Sequence, residues 1–275
     1  MLFRSGVDLI TNVPALQINS IKNEPGITLS RAVNSGSIVL IPSLLTTDVF
    51  KKKEVRQAMN YAIDKDALIK VVLQGEGVAL ESPYAKSIPG GYVSGLTPYK
   101  YDPEKAKSLL AAAGYPNGFK FSFKAPNGRY LQDKQVAEAI VGQLAKVGIT
   151  AELETIEWST YVQGIIGRKY ELFFLSQGGA PVSVNAQTNW SSKVKGIAWQ
   201  GYTNSAVDDI IEKAGQTVDD KERVALYEQM DKLVWEECPW IFLYNQQDIY
   251  ASQAKVKNFK PTSEAIVRLD KTEVA

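Results

Sequence analysis

Residues 119–178 read FKFSFKAPNGRYLQDKQVAEAIVGQLAKVGITAELETIEWSTYVQGIIGRKYELFFLSQG, and this stretch decides the fold class. FKFSFKA (119–125) alternates apolar and polar side chains, the period of a strand with one face on a core. YLQDKQVAEAIVGQLAKVG (130–148) places apolar residues at helical spacing and ends on Gly148, a residue suited to the left-handed turn that closes helices. ITAELETIEW (149–158) returns to strand character and STYVQGIIGRK (159–169) to a short helix. YELFFLSQ (170–177) is almost continuously apolar, as a strand covered on both faces is. Strand, helix, strand, helix, strand with short joints predicts consecutive crossover units on a largely parallel sheet.

Working toward the C-terminus, residues 178–203 (GGAPVSVNAQTNWSSKVKGIAWQGYT) read as a loop. Asn204 or Ser205 can cap a helix over 205–215, and Asp219 or Asp220 another over 220–237. PWIFLYNQQDIYA (239–251) is a long strand, and residues 255–270 run on in short extended pieces. Toward the N-terminus, Asp102-Pro103-Glu104 opens a helix that Gly114 ends. Residues 74–101, rich in Gly, Pro, Ser and Tyr, form a long loop of the kind often tied to function. Gly75 and Gly77 there do not make a phosphate-binding fingerprint, since no strand precedes them. VRQAMNYAIDKDALIKVVL (55–73) is helical, with Asp64 or Asp66 restarting it as an N-cap rather than forming a metal site. Residues 1–47 are short strands and turns that alternate poorly and have no covering helix, the profile of segments pairing with strands from elsewhere.

Composition removes most catalytic chemistry. The chain of 275 residues contains no histidine, which excludes Ser-His-Asp and Cys-His nucleophile systems and histidine metal sites. Its one cysteine, Cys238, forbids an intrachain disulfide and any CxxC motif, and its apolar neighbours make it a buried structural thiol. With 31 Lys and Arg against 30 Asp and Glu, there is no global field to gather nucleic acid. No metal or other cofactor is expected. Glu152 and Glu154 share one strand face, and with no facing acid they read as a solvated edge rather than a glycosidase pair. No run of about 18 apolar residues exists to span a membrane, and the N-terminal MLFRSGVDLITNVPALQ, broken by Arg4, Asp8 and Asn12, does not read as a signal peptide. The aromatics Tyr84, Tyr92, Tyr99, Trp158, Trp190, Trp199 and Tyr202 lie in or beside irregular segments. Singly each caps the core; together, at strand ends, they suit stacking on a small polar ligand.

Three segments, VRQAMNYAIDKDAL, YDPEKAKSLLAAAGYPNGF and GYTNSAVDDIIEKA, resemble the family-5 extracellular solute-binding proteins, the oligopeptide, dipeptide and nickel-type receptors of ABC importers. DDKERVALYEQMDKLVWEECPWIFLYNQQDIYA and KVKNFKP extend the resemblance in order along the chain. It implies an α/β, periplasmic-binding-protein-like (type II) C-terminal lobe with a mixed, largely parallel sheet flanked by helices. Residues 46–244 would be that lobe, and 1–45 and 245–275 would be segments belonging to a first lobe that the chain lacks. Hinge strands are expected at 37–45 and 241–248.

Functionally the resemblance implies an extracytoplasmic receptor that closes on a small polar solute and docks on the transmembrane permease subunits, changing nothing covalently. The alternative is a ligand-sensing domain of a regulator or chemoreceptor system. Ligand contacts are expected from Tyr84, Ser176, Gln177, Gly178, Asn185, Trp190 and Tyr244. In peptide-binding members of the family a carboxylate after this lobe's third strand holds the peptide's amino end. The matching loop here, Leu175–Trp190, holds no Asp or Glu. A free amine there would lack its counter-charge, so the expectation widens from peptides to opine-like or sugar-like solutes. Nickel held through a histidine of this lobe is excluded.

Overall fold

A computed structural model describes residues 6–275. The first five residues of the segment assigned to 1–45 lie outside the described residues. In chain order the elements are β1 (Leu9–Ile10), α1 (Ala15–Ile21), β2 (Ile27–Pro42), α2 (Lys53–Ala62), α3 (Lys65–Ala67, continued by a π-turn over Leu68–Val72) and β3 (Gly77–Ala79). Then come α4 (Pro103–Ala112), β4 (Lys120–Pro126), α5 (Asp133–Ala145), β5 (Thr150–Ile156), α6 (Trp158–Ile166) and β6 (Leu172–Gly178). The remainder comprises α7 (Val182–Trp190), α8 (Ser205–Gln216), α9 (Asp220–Glu237), β7 (Ile241–Gln253), β8 (Val256–Lys257) and β9 (Glu273–Val274).

One sheet of seven strands organises the molecule, in the order β1-β7-β2-β6-β4-β5, with β3 also pairing β7. The decisive stretch folds as read: β4 pairs parallel with both β5 and β6 through helical crossovers. The sheet is mixed, but its parallel part is confined to these three strands. β2 runs antiparallel to β6 on one side and to β7 on the other. The N-terminal strands therefore find partners inside this chain, contrary to the expectation that theirs would be missing. The reason is length: β2 has 16 residues and β7 has 13, enough for one pairing to serve both the helix-covered core and the terminal segments. Helix α1 likewise corrects the reading that nothing covers them, since Val13, Ile18 and Ile21 pack on Ile249 and Ala251 of β7.

The central strands carry continuously apolar stretches, Ile38–Pro42 in β2 and Leu172–Leu175 in β6, where both sheet faces are buried. Along β2, Ile38 and Leu40 enter one core while Val39 and Ile41 enter the other; in β6, Leu172 and Phe174 oppose Phe173 and Leu175 in the same way. The first core is closed by α2, α4 and α5, the second by α6 to α9. The predicted caps form: Asp64 accepts from Ala67 N, Asp102 from Lys105 N, Asn204 from Ala206 N and Asp219 from Glu222 N. Each satisfies an otherwise orphaned helix N–H, worth about 1 kcal/mol. Buried Arg56 ties the start of α2 to the end of α9, donating to the carbonyls of Cys238 at 2.9 Å, Glu237 at 2.8 Å and Phe50 at 2.8 Å.

Candidate functional site: a polar cleft at the strand ends

The loops after β4 and β6 and the first turn of α6 leave the sheet at one edge, the carboxyl ends of the parallel strands. Open sheets bind ligands at this edge. They border a cleft of about 1110 Å³, above the roughly 300–1,000 Å³ usual for small-molecule pockets. Its other walls come from residues 11–14, an irregularity in β2 at residues 34–36, β7 at Gln246–Tyr250, and Glu264, Ala265 and Val267 near the C-terminus.

The loop after β4 is held by one buried carboxylate. Asp133 accepts hydrogen bonds from the backbone N–H groups of Gly128 (3.0 Å), Arg129 (2.7 Å), Tyr130 (3.0 Å) and Lys134 (2.8 Å). Leu131 N donates to Oε1 of Gln246 on β7 at 3.2 Å. So fixed, the loop places the Arg129 guanidinium 5.0 Å from the Trp158 ring centroid and 5.4 Å from that of Tyr130, cation–π contacts on the cleft wall. Tyr130 is anchored in turn, its hydroxyl accepting from Ser176 N at 3.1 Å, and burial pushes its phenol above the ordinary value. Glu157 caps α6 by accepting from Ser159 N, which sets Trp158 at the helix start.

Four charged side chains line the cleft: Arg129, Asp133, Asp248 and Glu264. Asp133 is committed to the loop, and Glu264 pairs with Arg268 at 2.9 Å. Asp248, buried on β7, accepts from Asn34 Nδ2 at 2.7 Å and Gln246 Nε2 at 3.0 Å. Among the described residues no opposite charge lies within 4.0 Å of Arg129 or of Asp248.

The residues expected from sequence divide in two. Ser176, Gln177 and Gly178 line the cleft. Gly178 (φ +109°) faces Gly36, where an added Cβ would come within 2.5 Å of Ser176 Oγ, so both positions need the bare backbone. Tyr84, Asn185, Trp190 and Tyr244 do not line it. Residues 182–190 form α7 rather than open loop, and that helix turns Asn185 and Trp190 inward. Trp190 Nε1 donates to the Tyr84 hydroxyl at 2.5 Å and its ring packs on Trp240 at 4.1 Å, while Asn185 Nδ2 donates to Ala180 O. Tyr244 lies wholly in the first core. A buried Trp N–H needs an acceptor, and Tyr84 supplies it from within. Arg129, Tyr130, Gln246 and Asp248 line the cleft, and the sequence reading did not single them out. The PNGR turn directly after an alternating strand was the available signal.

Among the described residues no group of three or more acids, cysteines or histidines could hold a metal ion. Cys238 is buried, its thiol pushed up to about 12 by desolvation.

A mixed sheet with helices on both faces and an open, charged cleft at its parallel edge defines a ligand-binding α/β lobe. The profile of bacterial extracellular solute-binding proteins, family 5 Middle, matches residues 1–199, and the chain belongs to that family. It is 32% identical over 225 residues to heme-binding protein A of Haemophilus influenzae, covering 76% of this chain and 39% of that protein. It is 32% identical over 243 residues to the glutathione-binding protein GsiB of Pectobacterium atrosepticum, covering 81% and 46%. Among solved structures, the periplasmic binding protein DppA of Helicobacter pylori in complex with the peptide STSA superposes with a TM-score of 0.87 at 28% identity. The match covers 98% of this chain and 52% of DppA. The chain thus spans about half the length, or less, of these relatives. Among the described residues no helix is long and apolar enough to cross a membrane.

Proposed function

We propose that this chain forms one jaw of the substrate-binding component of an ABC importer, acting outside the cytoplasmic membrane. Residues 46–244 would be the ligand-binding lobe, with 1–45 and 245–275 running to a second lobe along the adjacent strands β2 and β7. The solute sits in the cleft against Arg129, Tyr130, Trp158 and the Ser176–Gly178 strand end. Closure of the second lobe would then present the loaded form to the permease subunits. Binding without turnover follows from what the cleft supplies: hydrogen bonds, aromatic faces and charge, with no activated nucleophile.

The observation that carries this reading is the Arg129 guanidinium, held by a fixed loop over two aromatic rings with no carboxylate within 4.0 Å among the described residues. Such a group recognises a carboxylate or another anionic acceptor. The named ligands of the relatives, glutathione and the STSA peptide, carry carboxylates and are the first probes. In the two-lobed protein, titration calorimetry is expected to detect at least one of them, and Arg129→Ala to weaken it at least tenfold, about 1.4 kcal/mol. Binding of neither would refute the solute-trap reading; binding indifferent to Arg129→Ala would remove Arg129 from the site.

A further inference from the structure

We infer that Asp248, on the cleft floor, is the counter-charge for a cationic group of the solute, so that the cleft selects molecules carrying an amine or guanidine as well as an anionic group. This rests on the solute-binding reading and specifies its ligand class. The argument begins with elimination. Of the three carboxylates lining the cleft, Asp133 is occupied by four backbone N–H groups and Glu264 by Arg268. Among the described residues, Asp248 alone of the three is neither paired with a cation nor committed to backbone donors.

Its environment is nonetheless built. Asp248 is 4% exposed, and burying an ionised carboxylate is costly unless it is compensated. The protein supplies two neutral amide donors, Asn34 Nδ2 and Gln246 Nε2, each of them fixed. Asn34 Oδ1 accepts from Gly36 N at 2.7 Å within the β2 irregularity, and Gln246 Oε1 accepts from Leu131 N. A carboxylate has about four acceptor positions, so two donors leave room for more. The fixed amides keep the carboxylate aligned without neutralising it. Gln246 also joins the two unpaired charges: its carbonyl holds the loop that bears Arg129, and its amide holds Asp248. A single side chain therefore sets the spacing between the cationic and anionic poles of the cleft.

This assignment answers the missing acid in Leu175–Trp190. The counter-charge for an amine comes from strand β7 rather than from the loop after β6. Free peptides and other amino-acid conjugates return as candidates, whereas neutral sugars leave Asp248 unmatched.

The test uses matched probes on the two-lobed protein: glutathione and the STSA peptide, each with a free amine and as its N-acetyl derivative. The free-amine form is expected to bind at least tenfold tighter than the acetylated form. Asp248→Asn, which keeps the shape and removes the charge, is expected to reduce that ratio at least tenfold, weakening the free-amine form far more than the acetylated one. A merely structural role would weaken both forms equally and overturn the assignment, as would acetylated probes binding as tightly as free ones to the native protein. Asp248→Glu guards against a folding artefact and should retain a preference for the amine. If none of the four probes binds, the solute-trap reading itself fails and takes this one with it; binding without amine preference sinks the Asp248 role alone.

Discussion

Two aromatic groups, nearly indistinguishable in sequence, have opposite fates. Tyr84, Trp190 and Tyr130 lie in or beside Gly- and Pro-punctuated segments, and Trp158 at a strand–helix joint. The first pair is sealed in the second core, indole to phenol, against Trp240. The second pair stands half-buried on the cleft wall beneath Arg129. What separates them is the destination of their polar atoms. Tyr84 supplies the acceptor for the Trp190 N–H inside the core, and neither side chain lines the cleft. Tyr130 accepts from Ser176 N at its hydroxyl and leaves its ring to a cation that has no partner anion among the described residues. Each group also has a buried acid. Asp231, beside Tyr84, has no hydrogen-bond partner on either oxygen, and burial holds its carboxyl well above the ordinary value of 3.8. Asp248 by the cleft keeps two amide donors.

The contrast can be broken most forcefully at Trp190. Trp190→Ala is expected to cost about 3–5 kcal/mol of stability, read by denaturant unfolding, with solute affinity of the folded fraction unchanged. A selective affinity loss at unaltered stability would move Trp190 to the cleft side. Next, Tyr84→Phe removes the acceptor of the Trp190 N–H and should cost about 1–3 kcal/mol; a neutral outcome would mean that the pair does not hold the core. Asp231 is read as a slope with pH rather than as a fixed loss. Its folded pKa is raised, so its stabilising contribution is whole below pH 3.8 and is lost progressively as pH rises toward the folded value. The native protein should therefore lose up to about 1.4 kcal/mol per pH unit from this group above pH 4, and Asp231→Asn should abolish that slope. An identical pH profile for the two proteins would show that the acid titrates normally.

Much of the architecture was legible because it is written in period. The alternation of FKFSFKA and the helical spacing of residues 130–148 follow from one covered face each, and both elements form where read. The four caps needed only a short polar side chain ahead of a helix. What escaped were elements whose pattern is erased by burial or composition. β2 was read as two fragments because Ser35-Gly36 interrupts it and both faces of its second half are buried. α7 was read as loop because Pro181 opens it and small polar residues blur its stripe. At the site, strand-end position picked out Ser176–Gly178, which line the cleft. It misled for Trp190 because aromatic character says nothing about which way a helix turns. Asp248 was invisible for another reason: on a strand read as hinge, only the pairing with β2 reveals that its neighbours are amides and its wall is the cleft.

The four N–H groups gathered by Asp133 have a kinetic corollary. A loop already fixed by four hydrogen bonds would lose little conformational entropy on binding a solute, so the proposed capture at Arg129 would need no slow rearrangement of that segment. Related solutes should then arrive at similar rates and differ chiefly in dwell time. A single carboxylate that never meets the cargo would thereby govern how long the cargo stays.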